Sequence, residues 1–302
     1  MKSPPRAPAR RPRPAATLPQ LTHPERQLFD DPPISKQQLA EFYRSIADFI
    51  LPGLVRRPLM LLRCPQGVSG ECFFQKHVAR ALPRELHEVD DRSARQRWLY
   101  IEGLEGLIAL VQLNTVELHV WGCTVQDLER TDRLVMDLDP GAGVPWKHVR
   151  EAALELRERL AALRLQCFVR TTGGKGLHLV IPLSPPAGWD AASSFARSLA
   201  ESVARERPQR YLTVAAREQR SGRIFLDYLR NARGATAVCS YSLRRRAAAP
   251  VATPLAWEEL TQLRAPDQFR FANLQRRLQR LSADPWADIG RVRQSLPRIR
   301  SE

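Results

Sequence analysis

The chain has 302 residues, 43% of them hydrophobic, enough for one large or two small domains with packed cores. No run of about 18 apolar residues occurs, which argues against a membrane span. The N-terminus lacks the apolar stretch of a secretory signal, so the expected location is cytoplasmic, at the nucleoid. The net charge of +15, with five lysines among 47 basic residues, favours a polyanionic partner, most often nucleic acid.

In chain order, residues 1–20 hold six prolines and five basic residues without an acid, and this composition predicts a disordered arm. Ser35 through Gln38 fits a capping box opening a helix, with Leu39, Phe42, Tyr43, Ile46 and Phe49 at helical spacing. Strands are predicted at 59–63, 71–75 and 98–101. Val116, Leu118 and Val120 then alternate with Glu117, His119 and Trp121. A strand at 133–139 precedes a helix from about Pro145, striped by Val149, Ala153, Leu156, Leu160 and Leu163. Strands at 167–171 and 177–182 lead to a helix near Asp190 using Phe195, Leu199 and Val203. A strand at 223–229 and a helix over 267–281, with Phe271, Leu274, Leu278 and Leu281 aligned, complete a domain spanning 21–285. Residues 286–302 are assigned to a basic tail. Helices and strands mix throughout, so the class is α/β or α+β, and the assignment made is α+β (mixed α/β). The five cysteines are odd in number and lack a C-x-x-C pair, so buried reduced thiols are predicted rather than disulfides or zinc.

Three segments carry chemistry. In Arg133–Pro140, Leu134, Met136 and Leu138 point into a core, so Asp137 and Asp139 leave the opposite face together. Neighbouring carboxylates repel unless a cation lies between them, and hard oxygen ligands suit Mg²⁺ or Mn²⁺. In Arg223–Asn231 alternation places Asp227 on the less apolar face of its strand, a third carboxylate that allows two divalent metal ions to be held. In Arg170–His178 three glycines permit close approach to phosphates, Lys175 offers a point charge and Thr172 a hydroxyl, and His178 alternates away from Leu177 and Leu179. This loop does not match a Walker A sequence. Singly, each segment has an ordinary alternative: solvated aspartates, a salt bridge, a hairpin turn.

Together with four further blocks, these segments resemble the polymerase domain of bacterial DNA ligase D, in the archaeo-eukaryotic primase superfamily. The other blocks are Leu21–Arg26, Phe73–His77, Glu117–Gly122 and Ala249–Trp257. The resemblance implies a primase-polymerase fold with central antiparallel sheets flanked by helices. It assigns Asp137, Asp139 and Asp227 to two divalent metals, often Mn²⁺. It places Thr172, Gly173, Gly174, Lys175, His178, Arg244 and His119 around an incoming NTP or dNTP. Phe73 and Phe74 would stack on template bases, a sequence-tolerant contact. His23, Arg26 and Lys36 stand where the family grips a downstream 5′-phosphate. An Asn there is replaced by His23 and a Lys by Arg26, which retains donors while altering the pocket. The implied activity is extension of primers and gap filling at double-strand-break ends, with ribonucleotides preferred and with Ku and a DNA ligase as partners. The alternatives are a primase starting strands de novo and a non-catalytic module that binds or bridges DNA ends. None of the lysines lies in a K-x-D-G adenylation sequence, so ligation must come from another chain or from a part missing here.

Overall fold

The computed structural model describes residues 19–77 and 82–297, so the Pro-rich arm falls almost wholly outside the described residues. A short hairpin, β1 (Gln27–Asp30) and β2 (Pro33–Ser35), leads into α1 (Lys36–Ser45) and α2 (Ala47–Leu54). Ser35 accepts from the Gln38 amide and Gln38 returns the bond to the Ser35 amide, the predicted capping box. Then follow β3 (Leu59–Arg63), β4 (Phe73–Gln75), the hairpin β5 (His87–Asp91) and β6 (Gln96–Tyr100), α3 (Leu104–Gln112) and β7 (Thr115–Trp121). The second half comprises β8 (Arg130–Pro140), α4 (Trp146–Ala162), β9 (Phe168–Thr171), β10 (Leu177–Gly188) and α5 (Trp189–Glu206). It ends with β11 (Tyr211–Leu212), β12 (Ile224–Asp227), β13 (Thr236–Val238), β14 (Pro254–Leu255), α6 (Trp257–Gln262) and α7 (Phe271–Leu278).

Two sheets organise these elements. The larger has six strands in the order β11-β12-β8-β10-β9-β14, antiparallel except for the parallel pair β11–β12. The smaller has four, β13-β7-β3-β4, all antiparallel. On one face of the larger sheet Leu134, Met136, Leu138, Leu177, Leu179 and Leu226 pack under α4 and α5, joined by Leu156, Leu160, Phe195 and Val203. Each such side chain contributes roughly 1.5–3 kcal/mol by leaving water. Alternation therefore sends Arg133, Val135, Asp137 and Asp139 to the opposite face. There a small plug of Val135, Phe168, Val180, Ala237 and Trp286 forms beside the polar residues. Ala237 comes from β13, so this face looks toward the smaller sheet.

Four expectations change. Cys64 and Cys72 form a disulfide, because they flank the β3–β4 pairing in which Arg63 lies opposite Phe73, with Cα atoms 4.3 Å apart. Cys123, Cys167 and Cys239 are the buried free thiols that were predicted. The assigned tail begins with Trp286, which is buried and donates from Nε1 to the Val169 carbonyl at 3.1 Å, so the packed chain runs past 285. The last helix is only Phe271–Leu278, since Asn273 caps the Arg270 amide and starts it later. Leu163, placed on the α4 stripe, follows the helix and is exposed.

Candidate active site

Strand register assembles the site. Asp137 on β8 lies opposite Asp227 on β12 and opposite His178 on β10, while His178 lies opposite Arg170 on β9. Directly paired residues share a face, with Cβ atoms about 4.5–5.5 Å apart. The result is one row across four strands: Asp227, Asp137, His178, Arg170. Asp139 stands two residues along β8, opposite Phe225.

Crowded carboxylates need compensation, and two arginines supply it. Arg230 Nε lies 3.5 Å from Asp137 Oδ2 and 3.2 Å from Asp227 Oδ2, bridging the pair. Arg220 rests on the Phe225 ring at 4.0 Å and donates from Nη1 to Asp139 Oδ2 at 2.7 Å. Burial and the Asp137 charge still push Asp139 above the usual carboxylate range, and burial does the same to Asp227. Burial also opposes the Asp137 charge, but His178 and Arg230 outweigh it and hold that carboxyl low. Burial pushes His178 down to about 4 against the pull of Asp137, leaving the ring neutral at pH 7.

Among the described residues, no three acidic, histidine or cysteine side chains converge as they stand into a metal-holding group. The donor set nevertheless fits a hard cation. Oxygen ligands share one face, and the cation now between Asp137 and Asp227 is the Arg230 guanidinium.

The glycine loop closes a second wall. Thr172 Oγ1 accepts from the Gly174 amide and donates to the Gly176 carbonyl, both at 3.2 Å. Gly173 has φ +65°, a left-handed conformation suited to glycine, and a Cβ on Gly176 would stand 2.2 Å from the Leu138 carbonyl. Two of the three glycines therefore serve the chain path itself. Lys175 lines the cleft, near enough for its charge to favour ionisation of Asp139.

The smaller sheet provides the third wall. His119 on β7 donates from Nε2 to Glu117 Oε2 at 2.9 Å, and Arg244 Nε pairs with the same oxygen at 3.0 Å. The Arg245 amide donates to Glu117 Oε1 at 2.7 Å. Burial opposes the charge on this carboxyl, yet His119 and Arg244 hold it down to about 2. Arg244 Nη1 donates to the Thr172 carbonyl at 2.5 Å, tying this wall to the glycine loop. The cleft between these walls measures about 540 Å³ and is lined by His119, Asp137, Asp139, Thr172, Gly174, Lys175, His178 and Arg244, with further arginines. At its lip Phe74 meets the His119 ring edge-on at 5.7 Å. Phe73 and Phe74 are 45% and 54% exposed, unusual for adjacent phenylalanines.

Residues 35–286 match the family model described as the LigD primase-polymerase domain. The chain belongs to this family.

Among curated LigD relatives, the multifunctional non-homologous end joining protein of Pseudomonas aeruginosa is 40% identical over 279 residues, covering 91% of this chain and 33% of the relative. The Mycolicibacterium smegmatis protein of the same description is 34% identical, covering 80% and 32%. The chain thus spans about a third of the length of these relatives. The solved polymerase domain of Mycobacterium tuberculosis ligase D in complex with DNA superposes with a TM-score of 0.80 at 30% identity, covering 86% of this chain and 94% of that one. The LigD polymerase domain is a primase-polymerase-type nucleotidyltransferase, and this chain shares its mixed α/β fold with antiparallel sheets.

The three residues predicted to hold a 5′-phosphate lie apart from the cleft, around the start of α1. Lys36 is buried and donates from Nζ to the carbonyls of Thr22 at 2.9 Å and Gln112 at 3.3 Å. Its pKa is lowered by burial and then by the charge of Arg26. Arg26 donates to the Pro65 carbonyl at 3.0 Å, and exposed His23 pairs with Glu25 at 3.6 Å.

Sequence reasoning missed Arg230 and Arg220, which hold the aspartates, and Arg217 and Arg246, which line the cleft. Nothing distinguishes Arg217, Arg220 and Arg246 locally in so arginine-rich a chain. Arg230 alone had a usable signal, since it stands three residues after Asp227 in the Asp-Tyr-Leu-Arg-Asn block.

Proposed function

We propose that this LigD-family domain extends primers on a template and fills gaps at DNA double-strand-break ends, preferring ribonucleotides. The observation that carries the reading is the cross-strand row of Asp227, Asp137 and His178 beside Asp139, in which Asp137, Asp139 and His178 line one cleft with the glycine loop and Asp227 stands opposite Asp137 in the register. In this reading Asp137, Asp139 and Asp227 hold two divalent metal ions, Mn²⁺ or Mg²⁺. When bound, such ions supply activation of the primer 3′-hydroxyl and neutralisation of the leaving pyrophosphate. Arg230 and Arg220 must then leave the carboxylates, which frees two guanidiniums at the edge of the same cleft.

The nucleotide lies between the loop of Thr172, Gly173, Gly174 and Lys175 and the pair His119 and Arg244. His178 donates a hydrogen bond to its phosphates. Phe73 and Phe74 take template bases on their faces, and their exposure beside His119 supports this. His23 and Arg26 meet a downstream 5′-phosphate, with Lys36 bracing the backbone beneath them while adding charge. Ku and a DNA ligase are the partners proposed, on the resemblance to the ligase D polymerase domain; the relatives' names give non-homologous end joining alone.

The test is incorporation on a gapped, 5′-phosphorylated duplex, comparing NTP with dNTP and Mn²⁺ with Mg²⁺, with and without primer. Primer-dependent addition, faster with NTP and stimulated by the 5′-phosphate, is the predicted result. Primer-free synthesis at an equal rate contradicts the repair assignment in favour of a primase.

A further inference from the structure

Arg170 completes the cross-strand row but is not among the cleft-lining residues. It is 3% exposed, and among the described residues no carboxylate lies within ion-pair distance of it. Burying a cation without a counter-ion is costly unless its hydrogen bonds are well used. Its bonds go to neutral partners. Nη2 and Nε approach Nδ1 of His178 at 3.0 and 3.3 Å, and Nη1 donates to Ser240 Oγ at 3.1 Å. The Trp286 ring covers the guanidinium at 5.6 Å, and its own Nε1–H is anchored on the Val169 carbonyl.

A guanidinium has donors only, so the nitrogen it addresses must offer a lone pair. With Nδ1 accepting from Arg170, the N–H of the ring is on Nε2. That atom stands on the cleft side, 3.4 Å from Asp137 Oδ2. We infer that Arg170 is a positioning residue that locks His178 in the Nε2–H tautomer, so that the ring presents its Nε2–H as a donor to the phosphates of the incoming nucleotide. The inference rests on the reading of His178 as a nucleotide contact. Arg170 acts through His178 and touches no reacting atom. Ser240 and Trp286 fix the guanidinium plane, which explains why Trp286 is packed rather than trailing in a tail.

The experiment combines a spectrum with kinetics. In ¹⁵N-labelled wild-type protein, long-range imidazole correlations report each histidine tautomer, with His178 assigned by its loss in His178→Gln. The expected spectrum shows a bare Nδ1 and a protonated Nε2. Arg170→Met is expected to mix the tautomers and raise the KM for nucleotide about 10- to 100-fold, by analogy with the loss on removing the partner that orients a metal-ligating histidine. Its kcat should change less and its primer-template affinity should hold. Arg170→Lys, again a donor without acceptor capacity, should recover most of the loss. An Nδ1–H tautomer in the wild type overturns the inference, as does a folded Arg170→Met with unchanged tautomer and unchanged KM. Should Arg170→Met not fold, the wild-type spectrum alone decides. If the wild type incorporates no nucleotide, the polymerase reading fails, while the spectrum still decides the tautomer.

Discussion

Replacing Glu117 with glutamine probes the structure at a single buried carboxylate that accepts from two donors and pairs with one guanidinium. One oxygen takes the His119 Nε2–H at 2.9 Å and the Arg244 charge at 3.0 Å, and the other takes the Arg245 amide at 2.7 Å. A glutamine side chain there would retain one acceptor, and its amide hydrogens would face the donors that the second oxygen now serves. The Glu117 carboxyl falls from its ordinary 4.5 to about 2, which corresponds to roughly 3 kcal/mol of folding stability at neutral pH. In a domain of this size that is a fall in Tm of roughly 5–10 °C.

The sign follows from a depressed folded-state pKa. The contribution is complete above about pH 4.5 and fades as the pH drops toward 2. Urea melts of wild type and Glu117→Gln across this range should therefore show a stability gap at pH 7 that closes on acidification. At pH 7 the variant should also bind nucleotide more weakly, because His119 and Arg244 lose their common support. A gap that stays constant with pH, or no gap, would refute the reasoning.

Phe73→Ala and Phe74→Ala should each weaken primer-template binding by about 1–3 kcal/mol, the worth of one base–aromatic stack, with little change in melting temperature. Equal binding by both variants in a fluorescence-anisotropy titration contradicts the template role. Lys36→Met leaves the Thr22 and Gln112 carbonyls without their donor and should cost about 1–3 kcal/mol in a denaturant melt. It should also reduce the advantage of a 5′-phosphorylated gap over an unphosphorylated one. Reducing the Cys64–Cys72 bond should lower stability by roughly 2–3 kcal/mol, the loop-closure effect for so short a ring, and Cys72→Ser should be insensitive to reductant.

What the sequence makes legible is set by range. Asp137 and Asp139 are readable as a shared face because β8 alternates strictly over Leu134, Met136 and Leu138. The α1 cap is readable because Ser35 and Gln38 are three residues apart. By contrast, the pairing of Asp227 with Asp137, and of His178 with both Asp137 and Arg170, is a matter of strand register between distant segments. No local pattern encodes it, and only the family resemblance supplied the grouping. Helix α3 is not legible in the sequence because Gly106 through Val111 are all buried, so the segment shows no helical stripe. The Cys64–Cys72 bond likewise depends on the β3–β4 register. Trp286 stands alone between Asp284 and Asp288 with no apolar periodicity around it, and only the sheet it covers reveals its burial.

The central claim is that Asp137 belongs to a catalytic metal site rather than to a DNA-binding surface. It is tested most directly by comparing Asp137→Ala with wild type in nucleotide incorporation on a gapped, 5′-phosphorylated duplex with Mn²⁺, while measuring affinity for the same duplex. Incorporation should fall at least about a thousandfold, a loss of several kcal/mol of transition-state stabilisation, with affinity held within a small factor. Undiminished incorporation by a folded Asp137→Ala protein would contradict the account.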